Sequence, residues 1–331
     1  MEQATRDGFG NALTKLGKDK KIVVLDADLS ESTRSKKFKE LYPDRFFNMG
    51  VSEQDMIGTA AGLASSGKIP FACSFAVFAT GRVYDQIRVS VAYSNANVKI
   101  VGSHAGLLTG EDGASHQATE DITLMRALPN MTVVQPADAI EAEKATEAIS
   151  KYKGPVYLRL GRHKVPVIFD GLSHHHSKTD GETNLEEMQK HFDKKYKFEL
   201  GKGLTLKEGN DITIIASGVM LHKALEAAEL LEKENIKARV VNIHTIKPID
   251  EKLIIKCAKE TKAIITAEDH SIIGGLGSAV AEVISENYPA KLKRIGLRDV
   301  FGESGKPEDL YKKFGMDVKD IVDAAKELKQ N

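Results

Sequence analysis

Short, wholly apolar runs alternate with amphipathic segments along most of this chain, and that alternation constrains the fold more than any other feature. KIVVLDADL (Lys21–Leu29), IPFACSF (Ile69–Phe75), VKIVGSH (Val98–His104), MTVVQPA (Met131–Ala137) and GPVYLRLG (Gly154–Gly161) read as strands. Residues 80–93, 118–127 and 138–150 read as helices between them, and 4–17 as an opening helix with Phe9, Leu13 and Leu16 on one face. Strands apolar on both faces and separated by helices predict an α/β fold with a parallel sheet covered on both sides. Functional groups in such sheets gather beyond the carboxyl ends of the strands, where Asp28, Phe75, His104 and Arg162 fall. A second α/β unit begins at Asp211, with strands at DITIIASG, ARVVNIHTIKPI and Ala263–His270 and helices at 219–233, 250–260, 278–287 and 317–329. Gly274-Gly275-Leu276-Gly277 opens one of these helices without full dinucleotide spacing, so close strand-to-helix packing is expected there rather than a phosphate cradle.

The expectation is two parallel-sheet α/β domains, 1–170 and 209–331, joined by a linker at 171–208. Within the linker, 172–196 is polar, poor in aliphatics and reads as an insertion with one short helix near 184–194. Its run His174-His175-His176, with His191, lacks carboxylate or cysteine at ligand spacing and reads as a solvated loop. Lys+Arg and Asp+Glu balance at 47 each, which leaves no basic footprint for nucleic acid or an anionic membrane. No apolar run approaches the roughly 18 residues that span a bilayer, and MEQATRDGFGNAL reads as a charged helix rather than a signal peptide. Cys73 and Cys257 lie in separate apolar contexts, as buried thiols of a reducing compartment do, and two cysteines cannot build a structural zinc site. Together these predict a cytoplasmic protein.

One stretch stands apart from this scaffold. RFFNMGVSEQDMIGTAAGLASSG (Arg45–Gly67) reads as a strand end, a turn at Gly50 and a helix with Ser52 as hydroxyl N-cap. Gly58 and Gly62 cost helix propensity, but with Thr59, Ala60, Ala61, Ala64 and Ser65 they make a small-residue surface that lets another backbone approach closely. Glu53 stands at the start of that helix, where a carboxylate also complements the helix dipole. Two further constellations accompany it. SFAVFATG sets Phe75 and Phe78 three residues apart just past a strand, and GSHAGLLTGEDGASHQATED sets His104, Asp112 and His116 among glycines.

NMGVSEQDMIGTAAGLA resembles the signature of the pyrimidine-binding domain of thiamine diphosphate enzymes in the transketolase family. The resemblance implies that Glu53 hydrogen-bonds the aminopyrimidine and promotes ylid formation, that Phe75 and Phe78 flank the ring, and that Asp28 lies near the cofactor. Gly81 stands where the family carries a third aromatic, leaving that place empty or filled by another side chain such as Tyr84. For the sugar phosphate, it implies His104, Arg162, Arg6 and Ser32 at the phosphate, Asp112 on a hydroxyl and His116 at the reacting carbonyl. IASG, EDHSIIGGLG and FGESG resemble the family's C-terminal domain.

The family's diphosphate site uses a metal held by a Gly-Asp-Gly motif with a later Asn, and TDGETN near Gly181 is too short and misplaced to be one. The resemblance therefore implies the C-terminal half of an enzyme made as two polypeptides. An N-terminal partner subunit would carry the diphosphate-binding domain and its magnesium (or calcium) ion, this chain would hold no metal, and the assembly would be α2β2. The implied reaction transfers a two-carbon ketol unit between ketose and aldose phosphates. YDQI (Tyr84–Ile87) leaves two alternatives with the same cofactor, a 2-oxo-acid dehydrogenase beta subunit and a deoxyxylulose-phosphate-synthase-like enzyme. A non-catalytic regulatory subunit is a third, weakened by the retained Glu53, His104, Asp112, His116 and Arg162 set.

Overall fold

The computed structural model of the protein describes residues 1–169 and 196–330. In chain order the strands are β1 (Glu2–Gln3), β2 (Ile22–Asp26), β3 (Phe46–Asn48), β4 (Ile69–Phe75), β5 (Lys99–Ser103), β6 (Thr132–Val134), β7 (Val156–Arg159), β8 (Val165–Pro166), β9 (Leu204–Lys207), β10 (Ile212–Ala216), β11 (Ala238–Asn242), β12 (Thr245–Lys247), β13 (Ala263–Ser271) and β14 (Lys291–Leu297). They form a seven-stranded sheet ordered β12-β6-β7-β5-β4-β2-β3, a five-stranded sheet ordered β14-β13-β10-β11-β9 and the antiparallel pair β1-β8. Apart from β9 and β12, every strand of the two larger sheets runs parallel to its neighbours. The expected pair of parallel-sheet α/β units is what forms.

Helices cover both faces of the larger sheet. The Thr5–Leu16 and Ala139–Lys151 helices pack Phe9, Leu13, Ala142 and Ile149 onto Val24, Phe71 and Leu158. On the other face Met56, Ile57 and Ile87 meet Leu25, Ile100 and Tyr157, and this core runs on without a break to Ile215 and Val241 of the smaller sheet and to Leu276 of the Leu276–Asn287 helix. Each buried aliphatic side chain contributes about 1.5–3 kcal/mol over its exposed state, so one shared core binds the two units firmly.

Several elements differ from the sequence reading, each for a local reason. KIVVLDADL stops at Asp26 because the chain turns at Asp28 (φ 64°), and MTVVQPA is a strand only over Thr132–Val134, ahead of Pro136, which has no N–H to give a ladder. Residues 80–93 are not one α-helix. A π-helical turn at Phe78–Arg82, a short α-turn at Tyr84–Gln86 and a second π-helical stretch at Ile87–Tyr93 share the span. ARVVNIHTIKPI divides into β11 and β12, and β12 leaves its own sheet to pair antiparallel with β6 of the other. Ser52 does precede the Glu53–Ser65 helix, yet its hydroxyl makes no capping bond. The short strands β1, β8 and β9 escaped the pattern, as did β14, whose first half is exposed or half-buried.

The glycine cluster packs closely, as expected. Glu268 accepts hydrogen bonds from Leu276 N (2.6 Å) and Gly277 N (2.8 Å), and a Cβ on Gly275 would strike its carboxylate. The chain's own anion thus fills that helix N-terminus. Both cysteines are buried and unpaired. The expected helix near 184–194, the histidine run with His191, and 172–195 of the expected insertion lie outside the described residues. Among the described residues, no helix is long and apolar enough to cross a membrane.

Candidate active site

The carboxyl ends of β2, β3, β4, β5 and β7 deliver two groups of side chains that meet at His104. Glu53 is 2% exposed, and Arg82 Nη1 donates to its Oε2 at 3.1 Å. The Arg82 guanidinium also lies 4.4 Å from the Phe78 ring centroid. Arg82 thus covers the Phe78 ring, while Tyr84, one candidate substitute for the third aromatic, packs on the core. The Phe75 and Phe78 rings are near-parallel, with centroids 6.2 Å apart and planes at 16°, and His116 stands edge-on to both. Gly50, Gly58, Gly62 and Gly81 have nothing within 4 Å of where a Cβ would sit, so this side is open to close approach by another backbone.

Phe75 carries the first group into the second, for its ring stacks on His104 with centroids 3.9 Å apart. Arg6 Nη1 lies 3.3 Å from His104 Nε2 and donates to Ser32 O at 2.9 Å. Arginine has no acceptor, so Nε2 takes that bond and the neutral ring carries its proton on Nδ1, which donates to Ser103 Oγ at 2.9 Å. Burial, then the positive charges of Arg6, Arg162, His163 and Arg34, push the His104 pKa down to about 3. His104 in this state holds the guanidinium of Arg6 in place. Arg6 itself is lowered to about 10, first by burial and then by Arg34. Arg162 Nη1 donates to Asp112 Oδ1 (3.0 Å) and Thr109 O (2.7 Å), tying the glycine-rich loop to the end of β7. Arg34 and Arg162 have carboxylate partners in Asp7, Glu111 and Asp112, yet the convergence of Arg6 and Arg162 beside His104 suits a tetrahedral anion.

Asp28 stands a little apart from both groups. Asn48 Nδ2 donates to its Oδ1 at 2.9 Å, and Asn48 Oδ1 in turn accepts from Gly50 N, so Asp28 is linked to the turn that launches Glu53. Asp28, Arg34 and His104 all hold positive φ without being glycine (64°, 68° and 57°), backbone strain of the kind that gathers at functional sites.

Sequence reasoning missed four supporting residues. Asp26, fully buried, accepts from Leu29 N (2.6 Å), Thr33 Oγ1 (2.7 Å) and Ser35 Oγ (2.8 Å), and so shapes the loop that carries Ser32. Its signal is a carboxylate inside an apolar strand followed by the hydroxyl run Ser30–Ser35. Arg34, paired with Asp7, and His163 carry no signal beyond their charge. Arg82 is legible only once Gly81 is known to place it beside Glu53. Among the described residues, no group of three or more His, Cys, Asp or Glu is arranged to hold a metal ion.

The chain matches two family profiles, the transketolase pyrimidine-binding domain over residues 1–167 and the transketolase C-terminal domain over residues 201–321. A protein of Methanocaldococcus jannaschii, provisionally named a transketolase C-terminal section, is 49% identical over 96% of this chain and 93% of its own length. A 6-deoxy-6-sulfo-D-fructose transketolase subunit of a Clostridium species (strain MSTE9) is 44% identical over 99% and 95%. Among solved structures, a split-gene transketolase described as an inactive β4 tetramer superposes with a TM-score of 0.86 at 49% identity, covering 99% of this chain and 98% of that one. By sequence and by fold, the chain belongs to the transketolase family and carries its pyrimidine-binding and C-terminal domains.

Proposed function

We propose that this subunit contributes the ring-binding and substrate-binding half of a ketol-transfer site, completed by an N-terminal partner subunit. The observation that carries the reading is the double role of His104, stacked on Phe75 and holding Arg6. Through it the expected ring site and the expected anion site become one continuous surface.

Thiamine diphosphate is the cofactor the family implies, and the residues fit its pyrimidine end: one buried carboxylate, Glu53, and two near-parallel rings, Phe75 and Phe78. When bound, the cofactor supplies the carbanion chemistry. Glu53 would hold the proton at a pyrimidine nitrogen, Phe75 and Phe78 would exclude water from the ring, and Asp28 would steady the turn before Glu53. Arg6, Ser32, His104 and Arg162 would bind the substrate phosphate, Asp112 a hydroxyl, and His116 the group beside the reacting carbonyl. We assign the diphosphate and a magnesium or calcium ion to the partner subunit and propose an α2β2 assembly. The open glycines of the Glu53–Ser65 helix support such a contact. The division into 1–170, 171–208 and 209–331 is proposed with it, and the two buried free thiols support a cytoplasmic location.

A second reading changes only the anion. A sulfonate and a phosphate are both tetrahedral oxyanions, and the Clostridium relative is named for a sulfo-sugar. The test is ketol transfer to ribose 5-phosphate with thiamine diphosphate and magnesium, using xylulose 5-phosphate or 6-deoxy-6-sulfofructose as donor, for this chain alone and with its partner. Activity only in the mixture, with the phosphorylated donor preferred, is expected. Preference for the sulfo-sugar would favour the second reading, decarboxylation of 2-oxo acids would favour a dehydrogenase subunit, and activity of the lone chain would sink the split-site reading.

A further inference from the structure

The substrate loop does not stand on its own sheet alone. Asp269, at the end of β13 in the smaller sheet, is fully buried, and its carboxylate reaches across to residues 106–109. Leu107 N donates to Oδ1 at 2.8 Å and Leu108 N to Oδ2 at 3.2 Å, while Tyr311 OH holds Oδ2 from behind at 3.1 Å. The Asp269 carbonyl accepts from Arg159 Nη2 at 2.9 Å, which anchors its backbone to β7. Gly106 has φ 71°, and a Cβ there would strike this carboxylate, so loop and carboxylate are in tight contact. From that point the loop passes its position on: Thr109 Oγ1 donates to His104 O at 2.7 Å, and Thr109 O accepts from Arg162 at 2.7 Å. A second tie comes from the same unit, where Gln117 Nε2 bridges Gly110 O (3.1 Å) and Glu303 O (2.9 Å).

We propose that Asp269 is a positioning residue for anion recognition: from the C-terminal domain, its carboxylate sets the 106–109 turn and so the convergence of His104 and Arg162. Two backbone N–H groups aimed at one carboxylate give charge-assisted bonds, the strong kind in a dry interior. Burial holds the Asp269 pKa above the usual carboxylate range, only partly offset by Arg159, the two amides and Tyr311. The C-terminal domain then has a task in substrate selection although none of its residues stands among the assigned ligands. This inference rests on the proposed assignment of the 104–112 loop to the substrate.

The test is Asp269→Asn in the full chain assembled with its partner subunit, compared with the unsubstituted complex. Steady-state kinetics would use xylulose 5-phosphate and its unphosphorylated analogue xylulose, with hydrogen exchange followed at Leu107 and Leu108. The expected result is a KM for xylulose 5-phosphate raised about tenfold, as for one lost charge-assisted hydrogen bond, with kcat, cofactor affinity and the KM for xylulose within about twofold. Exchange at Leu107 and Leu108 should accelerate. A fall in kcat with the xylulose 5-phosphate KM unchanged, an equal rise in both KM values, or unaltered exchange would overturn it. If Asp269→Asn does not assemble, Tyr311→Phe takes its place, expected to raise only the KM for xylulose 5-phosphate, and an unchanged KM would overturn the inference. Equal KM values for both donors in the unsubstituted complex would overturn the substrate reading as well. A phosphate preference left undiminished by Asp269→Asn would overturn this inference alone.

Discussion

Arg82 Nη1 donates to Glu53 Oε2 at 3.1 Å, so the carboxylate we propose for the cofactor ring already has a partner within its own chain. Arg82 is 48% exposed and Glu53 2%, so water screens the pair from the arginine side alone and its worth is on the order of 1 kcal/mol. It can be displaced, but at some cost to binding. Replacing Arg82 by Gln is expected to tighten thiamine diphosphate binding up to about fivefold in the assembled enzyme, by equilibrium titration. Weaker binding would show that Arg82 belongs to the loaded site.

Glu53→Gln keeps the shape of the side chain and removes its charge. Turnover is expected to fall by at least about a hundredfold, the usual scale for losing a positioned acid–base group, while the cooperative melt stays in place. Near-normal turnover would remove Glu53 from the chemistry.

Arg162→Ala removes the cation that spans Thr109 O and Asp112. The apparent KM for phosphorylated sugars is expected to rise about tenfold or more, with a smaller change in kcat. An unchanged KM would mean that the anion binds elsewhere.

Asp26→Ala strips three donors of a common acceptor inside the protein. Stranded buried donors cost about 1–3 kcal/mol each, so urea unfolding should show a loss of roughly 3 kcal/mol after partial relaxation, together with a raised KM as Ser32 shifts. A loss under about 1 kcal/mol would show that the 29–35 loop holds its shape unaided.

For His104 the folded pKa of about 3 lies below the ordinary 6.5. Between those values the unfolded chain binds the extra proton, so this contribution to stability is complete above pH 6.5 and drains away as pH falls. His104→Gln should flatten the fall in stability between pH 6.5 and 5 by up to about 1.4 kcal/mol per pH unit. Identical slopes in denaturant titrations at pH 7, 6 and 5 would show that His104 is not buried neutral.

The fold is legible where one local rule suffices. Apolar strands such as Ile69–Phe75 and helices such as Thr5–Leu16 follow from periodicity alone. β12 is not, because nothing in TIKPI says that it will cross to Val133 and Val134 of another sheet. In the site, Phe75, His104 and Arg162 stand out by place at strand ends, while Glu53 and Phe78 are legible only through the resemblance of their segments to the transketolase signature. Arg82 and Asp269 do not, since each matters only through a contact made at long sequence distance, 29 and 162 residues away in the two cases. A lone arginine or aspartate has no spacing to read.

The crossing of β12 limits how modular the chain is. Thr245–Lys247 closes the outer edge of the larger sheet, and Lys247 Nζ fastens it by donating to Arg126 O and Leu128 O. A fragment ending near residue 169 would leave Thr132–Val134 with open backbone donors and acceptors, an invitation to edge-to-edge aggregation. Chimeras that exchange C-terminal units between relatives must therefore carry a compatible 245–247 strand, or seal the edge by other means, to stay soluble.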